Sequence, residues 1–359
     1  MPLIAGIIGY IKRLNKTLAF CRHFPFVAVL YFTHLRSLRA RLSRVKLRDP
    51  GRKIIVIARV ERLGDIVACE PVSRSVRRDN PDAYVIWCVA DTYRELIDSN
   101  PHVDHTLAVH CLTEWVWFSK TNLFDEVIDL SLEGRMCKTC GIPLKKPIGN
   151  MGVTASSFLG FGSLLAVFTR CADYKMPETG PKIYLNEQIS RSVDRLPLTG
   201  DFTVIHCKAS HKIRDWDSRK WLHVIRYLCR EARIPVVEVG HASFLQNVGF
   251  KTYLNLCGTL SILECAEVIR RARLFVGIDS GPAHLANAVG TKGVILLGRV
   301  SNSFTLYKRY TGNYTDPRYA RLLYYDGQTR DIPVEETKKA IISMLGCGKK
   351  ERIPIKAAS

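Results

Sequence analysis

The turn Asp279–Pro282 carries the clearest chemical signal in the sequence. The apolar run Phe275–Ile278 before it predicts a buried strand, and Pro282 suits the first position of a following helix. Backbone N–H groups at a helix start bind anions, and the Ser280 hydroxyl adds another donor. The turn is therefore suited to a diphosphate, although an ordinary strand-to-helix turn uses the same residue types.

A second candidate is a carboxylate in the segment Arg59–Val67. The β-branched run Ile54–Ala58 predicts a buried strand, and Asp65 follows it beside Gly64 at the start of a predicted helix. A carboxylate there can act as a general base, or it can be a helix N-terminal acid that only interacts with the dipole. The residues alone leave both interpretations open.

Together the two segments resemble glycosyltransferase family 9, the bacterial lipopolysaccharide heptosyltransferases. The likeness runs from about Lys53 to Leu297 and is most specific at two motifs, Arg62-Leu63-Gly64-Asp65 and Asp279-Ser280-Gly281-Pro282-Ala283-His284-Leu285-Ala286. It implies an α/β protein of the GT-B type, in which two Rossmann-like doubly wound domains face a central cleft. It also implies inverting, metal-independent transfer of a heptose, or another sugar, from a nucleotide sugar to a lipopolysaccharide core.

The resemblance also assigns site residues. Asp65 is expected to be the general base, with Arg62 and Gly64 on the acceptor side. The positions expected to bind the donor are Ser210, Lys212, Arg214, Glu238, Asp279, Ser280, Gly281 and His284.

The donor loop Ser210–Trp216 departs from the family pattern, because Arg214 stands where the family has lysine. Arginine grips phosphate bidentately where lysine acts as a point charge, so the role is retained with a different geometry. Lys212 is the second candidate, and either cation can instead be a solvated loop charge. Glu238 resembles the acid that holds the donor's ribose or base, and Asp279 is expected to bind sugar hydroxyls. Glu238 can equally be a satisfied strand-end acid, and His284 a packed helix residue.

Three motifs of other chemistries are not expected to function. Asp215–Asp217 spells DxD, a metal-binding signature, but it opens a helix within the donor loop. Gly64 lacks the GxGxxG context of a nicotinamide site. Cys137 and Cys140 form one CxxC without a second pair to complete a zinc site. No metal and no cofactor are expected, and the nucleotide sugar, ADP-heptose by resemblance, is a co-substrate.

Two alternations of strand and helix are predicted to position these residues. The predicted strands are 54–58, 84–89, 106–109, 126–130, 202–206, 236–239, 274–278 and 293–297. Helices are predicted from Asp65 and over 92–99, 219–232, 261–271 and 283–289. A linker between Pro177 and Thr199 separates the two series. We expect a membrane-proximal segment (1–50), an acceptor domain (51–190), a nucleotide-sugar domain (191–345) and a basic tail (346–359).

The N-terminal segment holds much of the formal net charge of +20, because residues 1–53 carry twelve Lys or Arg and one acid, Asp49. Leu35, Leu38 and Leu42 recur at helical spacing among arginines, which predicts a basic amphipathic helix over Leu35–Arg48. We expect peripheral contact with anionic lipid at the inner face of a bacterial inner membrane, or a solvated helix whose leucines pack on the body.

The other apolar stretches favour a cytoplasmic chain without a spanning helix. The aromatic stretch Phe24–Phe32 is too short to cross a bilayer, and the apolar start lacks the basic opening of a signal peptide. The twelve cysteines are scattered and many lie in apolar runs, which suits a reducing compartment.

Three other classes of protein are compatible with parts of the sequence. A nucleic-acid or polyanion-binding protein would fit the charge, but the basic residues alternate with leucines and no nucleic-acid motif is found, so no nucleic-acid partner is expected. A sugar-nucleotide epimerase on the same fold would act on the donor without the anionic glycolipid acceptor. A lectin-like relative would bind a sugar without turnover. The presence of Asp65, the candidate general base, together with the donor turn argues against this class.

Overall fold

The computed structural model describes residues 2–144, 152–154, 157–210, 212–243, 245, 248–298 and 310–346, with side chains from residue 23 onward except Leu159. Two compact units form, Met1–Glu178 and Thr179–Ser359. The division lies within the linker predicted between Pro177 and Thr199. The predicted segment 1–50 belongs to the first unit.

The first unit is a parallel four-stranded sheet with helices. Its strands are β1 (Ile54–Ala58), β2 (Tyr84–Ala90), β3 (His105–Val109) and β4 (Glu126–Asp129). Its helices are α1 (Pro2–Arg48), α2 (Leu63–Asp79), α3 (Arg94–Asp98), α4 (Leu112–Phe118) and α5 (Leu164–Cys171). The strand order is β3-β2-β1-β4. Every residue of β1 and β2 is buried, as their continuous apolar runs require of strands covered on both faces.

The second unit is a parallel six-stranded sheet with helices. Its strands are β5 (Thr203–His206), β6 (Val236–Glu238), β7 (Tyr253–Asn255), β8 (Leu274–Ile278), β9 (Gly293–Leu297) and β10 (Ala320–Tyr324). Its helices are α6 (Glu187–Asp194), α7 (Ser218–Arg226), α8 (Ile262–Arg271), α9 (Gly281–Val289) and α10 (Val334–Gly346). The strand order is β10-β9-β8-β5-β6-β7, with all neighbours parallel.

Each sheet reverses its strand order beside its first strand. In the first unit β1 lies between β2 and β4, and in the second β5 lies between β6 and β8. Crevices at the carboxyl ends of strands around such switch points are where open α/β sheets bind ligands. The expected α/β fold with parallel, doubly wound sheets is therefore confirmed. In each sheet, the carboxyl ends of the strands beside β1 or β5 are the expected place for a ligand.

Helix α1 packs its leucine stripe on the first unit. Leu35, Leu38 and Leu42 are buried in the same core cluster as the strands, together with Val27. The opposite face of α1 presents Val29 and other apolar and cationic side chains to solvent. Within the described part of the chain, no helix has both the length and the apolar character needed to cross a membrane.

Candidate active site

Asp65 is positioned by an unusual turn between β1 and α2. Arg62 adopts a φ of 70°, a left-handed conformation that non-glycine residues rarely take, and its side chain is exposed. The Arg62 carbonyl accepts hydrogen bonds from the N–H groups of Asp65 and Ile66, both at 3.1 Å. Gly64 lies within this first turn. Non-glycine residues in such conformations cost about 1–3 kcal/mol and cluster at functional sites.

Two arginines, one buried and one largely buried, hold the Asp65 carboxylate. Oδ2 accepts a short hydrogen bond from Arg59 Nη2 and lies 3.5 Å from Arg135 Nη1. The Arg135 Nε atom also pairs with Glu61 Oε2 at 3.3 Å. The Asp65 side chain keeps 14% of its surface exposed, whereas Arg59 keeps 1%. In the described residues no side chain donates to Asp65 Oδ1, so one oxygen is anchored and the other can accept a proton.

These charges determine the ionisation of Asp65. Burial alone would raise the pKa of its carboxyl group, but Arg59, Arg135 and Arg62 together lower it below the ordinary 3.8. Burial in turn lowers the pKa of Arg135 to about 10. At neutral pH the group is therefore a carboxylate flanked by guanidinium cations.

Arg59 is itself fixed by its surroundings. Its Nη1 atom donates to the Leu130 carbonyl at 3.2 Å, just past the end of β4. Its guanidinium lies 3.8 Å from the ring centroid of Phe168. Asp65 is thus anchored at the switch point between β1 and β4.

In the second unit, Arg214 and Asp279 come together from separate segments. Arg214 lies in a short 3₁₀ turn, Lys212–Arg214, that follows β5, while Asp279 directly follows the neighbouring strand β8. The Arg214 Nη1 atom lies 3.3 Å from Asp279 Oδ2 and donates to the Asp279 carbonyl at 3.3 Å. Asp279 is buried, whereas Lys212 and Ser210 are exposed. The structure therefore favours Arg214 over Lys212 as the cation held at the switch point.

Helix α9 begins without a side-chain cap from its N-cap residue. Ser280 is the N-cap residue, but its hydroxyl donates to the Ile278 carbonyl at 3.0 Å and makes no hydrogen bond to the helix. Gly281 begins the helix and Pro282 follows it. The first N–H groups of any helix lack partners within the helix, and here the capping side chain does not supply one. This start lies beside Arg214, on the same edge of the sheet.

Glu238 ends β6, the strand on the other side of β5. It is buried, and its Oε2 atom accepts hydrogen bonds from Ser243 Oγ at 2.7 Å and from the Tyr253 hydroxyl. Burial and the nearby Glu238 raise the pKa of Tyr253. Glu238 thus shares an edge with Arg214 and Asp279, and contact with a donor stays a prediction.

His284 is in the interior. It is 3% exposed on α9, and its ring lies 4.7 Å from the ring of Tyr310. The packed interpretation therefore accounts for its position, while a donor contact stays a prediction. The DxD residues serve the local backbone, since Asp215 accepts from the Ala209 N–H and Asp217 from the Arg219 N–H, both at 2.8 Å.

Sequence reasoning missed the residues that hold Asp65. Arg59 was visible because it directly follows the predicted strand, and a charged residue at the carboxyl end of a buried strand is a usable signal. Arg135 lies in a hairpin far along the chain, so its pairing with Asp65 and Glu61 depends on the folded arrangement.

Part of the chain is similar in sequence to known proteins. Residues 162–317 match the family model of glycosyltransferase family 9 (heptosyltransferase), a span that includes Arg214, Glu238 and Asp279 but not Asp65. Lipopolysaccharide heptosyltransferase 3 of Escherichia coli is 24% identical over 160 residues. The match covers 42% of this chain, and the chain spans 44% of the length of that relative.

Solved structures are similar over most of the chain. The glycosyl transferase family 9 protein of Veillonella parvula has a TM-score of 0.62 at 18% identity, covering 82% of this chain and 98% of its own. The E. coli ADP-heptose lipopolysaccharide heptosyltransferase II has a TM-score of 0.59 at 18% identity, with the same coverage. The resemblance to glycosyltransferase family 9 is therefore confirmed by sequence over residues 162–317. The fold of the solved structures extends over 82% of the chain.

Proposed function

We propose that this chain is an inverting glycosyltransferase that moves a heptose from a nucleotide donor, ADP-heptose, to a lipopolysaccharide-type acceptor. One observation carries the proposal: each sheet has a charged cluster at its switch point. The first cluster holds a carboxylate with an available oxygen, and the second combines Arg214, Asp279 and the N-terminus of α9. The names of the two E. coli relatives supply the sugar and the acceptor class.

The first cluster supplies the base. Asp65 Oδ1 takes the proton of the acceptor hydroxyl as that oxygen forms a bond to the anomeric carbon of the donor sugar. The bond from the anomeric carbon to the diphosphate oxygen breaks, and its electron pair leaves with the nucleotide diphosphate. Arg59 and Arg135 keep Oδ2 in place, and the exposed Arg62 is available to an anionic acceptor.

The second cluster stabilises the leaving group. Negative charge grows on the diphosphate as the glycosidic bond breaks, and N–H groups at the start of α9 are oriented toward such charge. Arg214 adds a guanidinium that can bind two phosphate oxygens. The clusters therefore need no metal ion for this step, and we propose a metal-independent reaction. Asp279 and Glu238 then contact hydroxyl groups of the donor.

Donor and acceptor are tested together. Purified protein is incubated with ADP-, GDP- and UDP-sugars and a truncated lipopolysaccharide, and nucleotide release is followed. We expect release with ADP-heptose that requires the acceptor. Nucleotide release at the same rate without acceptor would indicate hydrolysis of the donor in place of transfer. Absence of release with every donor would contradict the proposal.

We also propose that α1 contacts an anionic membrane where the acceptor resides. Val29 and Phe32 are 64% and 65% exposed, and they share the outer face of α1 with the exposed Arg36 and Arg39. Each arginine near an anionic surface contributes about 1 kcal/mol. An apolar pair beside cations is typical of helices that lie in the headgroup region.

Flotation with mixed phosphatidylcholine and phosphatidylglycerol vesicles tests this contact. We expect binding that weakens with salt and is lost in a Val29→Glu/Phe32→Glu variant. Ile342→Glu removes a comparably exposed apolar residue from α10 and should leave binding unchanged. Equal flotation of all three proteins would contradict the contact.

A further inference from the structure

Three buried thiols meet in the first unit. Cys111 immediately precedes α4, and Cys137 and Cys140 lie in the segment after β4. The Sγ atoms of Cys111 and Cys140 are 3.8 Å apart, and all three sulfurs lie within 4.8 Å of one another. Each of the three residues is 2% exposed. The third thiol was invisible in the sequence because it is remote from the CxxC pair.

A tight hairpin presents the CxxC pair. Cys137 donates its N–H to the Ile142 carbonyl at 2.8 Å, and Gly141 donates to the Cys137 carbonyl at 2.9 Å. Met136 and Pro143 pair across it as an antiparallel bridge. Gly141 adopts a φ of 68°, which a residue with a Cβ rarely takes. The backbone thus folds back directly after the second cysteine, and both thiols face Cys111.

The spacing of the sulfurs matches metal coordination. The two sulfurs of a disulfide are about 2.05 Å apart. The Sγ atoms of Cys111 and Cys140 are farther apart than that, at 3.8 Å, so these two residues are free thiols. A tetrahedral metal with bonds of about 2.3 Å to sulfur separates neighbouring sulfurs by about 3.8 Å. We propose that Cys111, Cys137 and Cys140 bind one soft divalent metal ion, with Zn²⁺ as the preferred ion. Each thiol releases its proton to solvent on binding, and one tetrahedral position remains for a non-sulfur ligand.

The metal would anchor the hairpin that carries Arg135. Arg135 lies two positions before Cys137 and accepts the Leu144 N–H at 2.7 Å through its carbonyl. Its side chain contacts Asp65 and Glu61. Metal binding ties this hairpin to the start of α4 and so acts as a structural cross-link next to the Asp65 cluster. The site itself stands on the cysteine geometry and does not depend on the proposed transferase activity.

Metal content is the first test. The full chain is purified without chelator, equilibrated with Zn²⁺, passed through metal-free buffer and analysed by plasma mass spectrometry. We expect one zinc per chain, lost in Cys111→Ser and in Cys140→Ser. Cys88→Ser removes a buried thiol from the same core cluster and should retain the zinc. A zinc-free wild type, or zinc retained in both site variants, overturns the proposal.

X-ray absorption of the wild type keeps the test decisive if a variant fails to fold. We expect three sulfur neighbours at about 2.3 Å from the bound zinc. A shell of nitrogen and oxygen with fewer sulfurs contradicts the assignment. A disulfide between two of these cysteines is the remaining alternative. It would leave both cysteines unmodified by an alkylating reagent, which intact mass spectrometry of the alkylated protein detects, and it would overturn the metal-site proposal.

Discussion

The carboxylate of Asp65 lies between two arginines, and this pairing governs its response to pH. Because its pKa is below the ordinary 3.8, Asp65 stays ionised throughout the neutral range. The stability gained from the pairing is present above the ordinary pKa and is lost as the pH falls through the lowered one. Activity that requires the carboxylate should follow the same direction and decline only in acid.

Arg135→Gln tests this dependence. Removing one cation raises the pKa of Asp65, so the acid limb of kcat/KM should move to higher pH while Arg59 still holds Oδ2. The profile is measured from about pH 3 to 8, a range that includes the ordinary carboxyl pKa. The control is Arg94→Gln, which removes an exposed cation paired with Asp98. An Arg135→Gln profile that overlays the wild type would contradict a direct electrostatic role for Arg135.

Arg214 allows a test of geometry at constant charge. Arg214→Lys keeps the cation but loses the planar guanidinium that can bind two phosphate oxygens and whose Nη1 atom contacts Asp279. Donor KM should therefore rise by about tenfold, equivalent to 1.4 kcal/mol. Arg214→Gln should raise it further. Steady-state kinetics with varied donor measure both, with Arg226→Lys on the exposed face of α7 as the control. Unchanged donor KM in Arg214→Gln would remove Arg214 from the donor site.

At the scale of elements, buried parallel strands were the most predictable. The observed bounds of β1, β8 and β9 equal the predicted ones, since short, largely apolar runs bounded by turn residues have few alternatives. Strands β7 and β10 were missed: β7 has three residues, none of them buried, and β10 is largely half-buried. Both are edge strands, which are paired on one side only and are less buried than central strands, so their sequences lack a continuous apolar run.

The helices were predicted less completely than the strands. Helices α4, α5, α6 and α10 were not predicted, whereas α8 and α9 lie within two residues of their predicted bounds. The predicted helix 92–99 is a 3₁₀ turn, Asp91–Tyr93, followed by α3, and the predicted helix 219–232 is α7 followed by a π-helical turn, Tyr227–Glu231. Helix α1 extends far beyond the predicted start at Leu35. Tertiary contacts explain part of this extension, because Val27 is buried and the Tyr31 ring packs against Phe118 of α4.

Gly298, directly after β9, is a site where packing forbids a side chain. A Cβ atom there would lie 2.1 Å from the Thr329 backbone nitrogen and 2.7 Å from the Gln328 carbonyl carbon. Backbone atoms cannot turn aside, so Gly298→Ala should lower the free energy of unfolding by about 1–3 kcal/mol. Urea unfolding measures the change. Gly346→Ala is the control, since a Cβ there meets no atom within 4 Å; equal midpoints would refute the predicted clash.

For the whole molecule, the order of motifs along the chain was more informative than composition. Asp65 and Asp279 could be found because each follows a buried strand at a switch point, where fold and chemistry coincide. Their partners were not equally visible: Arg214 was found through its loop, but Arg135 was not. Contacts between remote segments, such as that of Cys111 with the CxxC pair, form only in the folded chain. They could not be predicted, because a single sequence contains no periodic signal for them.

Turnover and donor binding by Asp65→Asn test most directly whether Asp65 is the general base. With ADP-heptose and a truncated lipopolysaccharide, we predict that kcat falls by about 10²–10⁴-fold while the donor Kd, measured by calorimetry, stays unchanged. The isosteric amide keeps the shape of the side chain, and Asp91→Asn, an exposed residue of the same unit, serves as the control. Turnover within a few-fold of the wild type would contradict Asp65 as the general base.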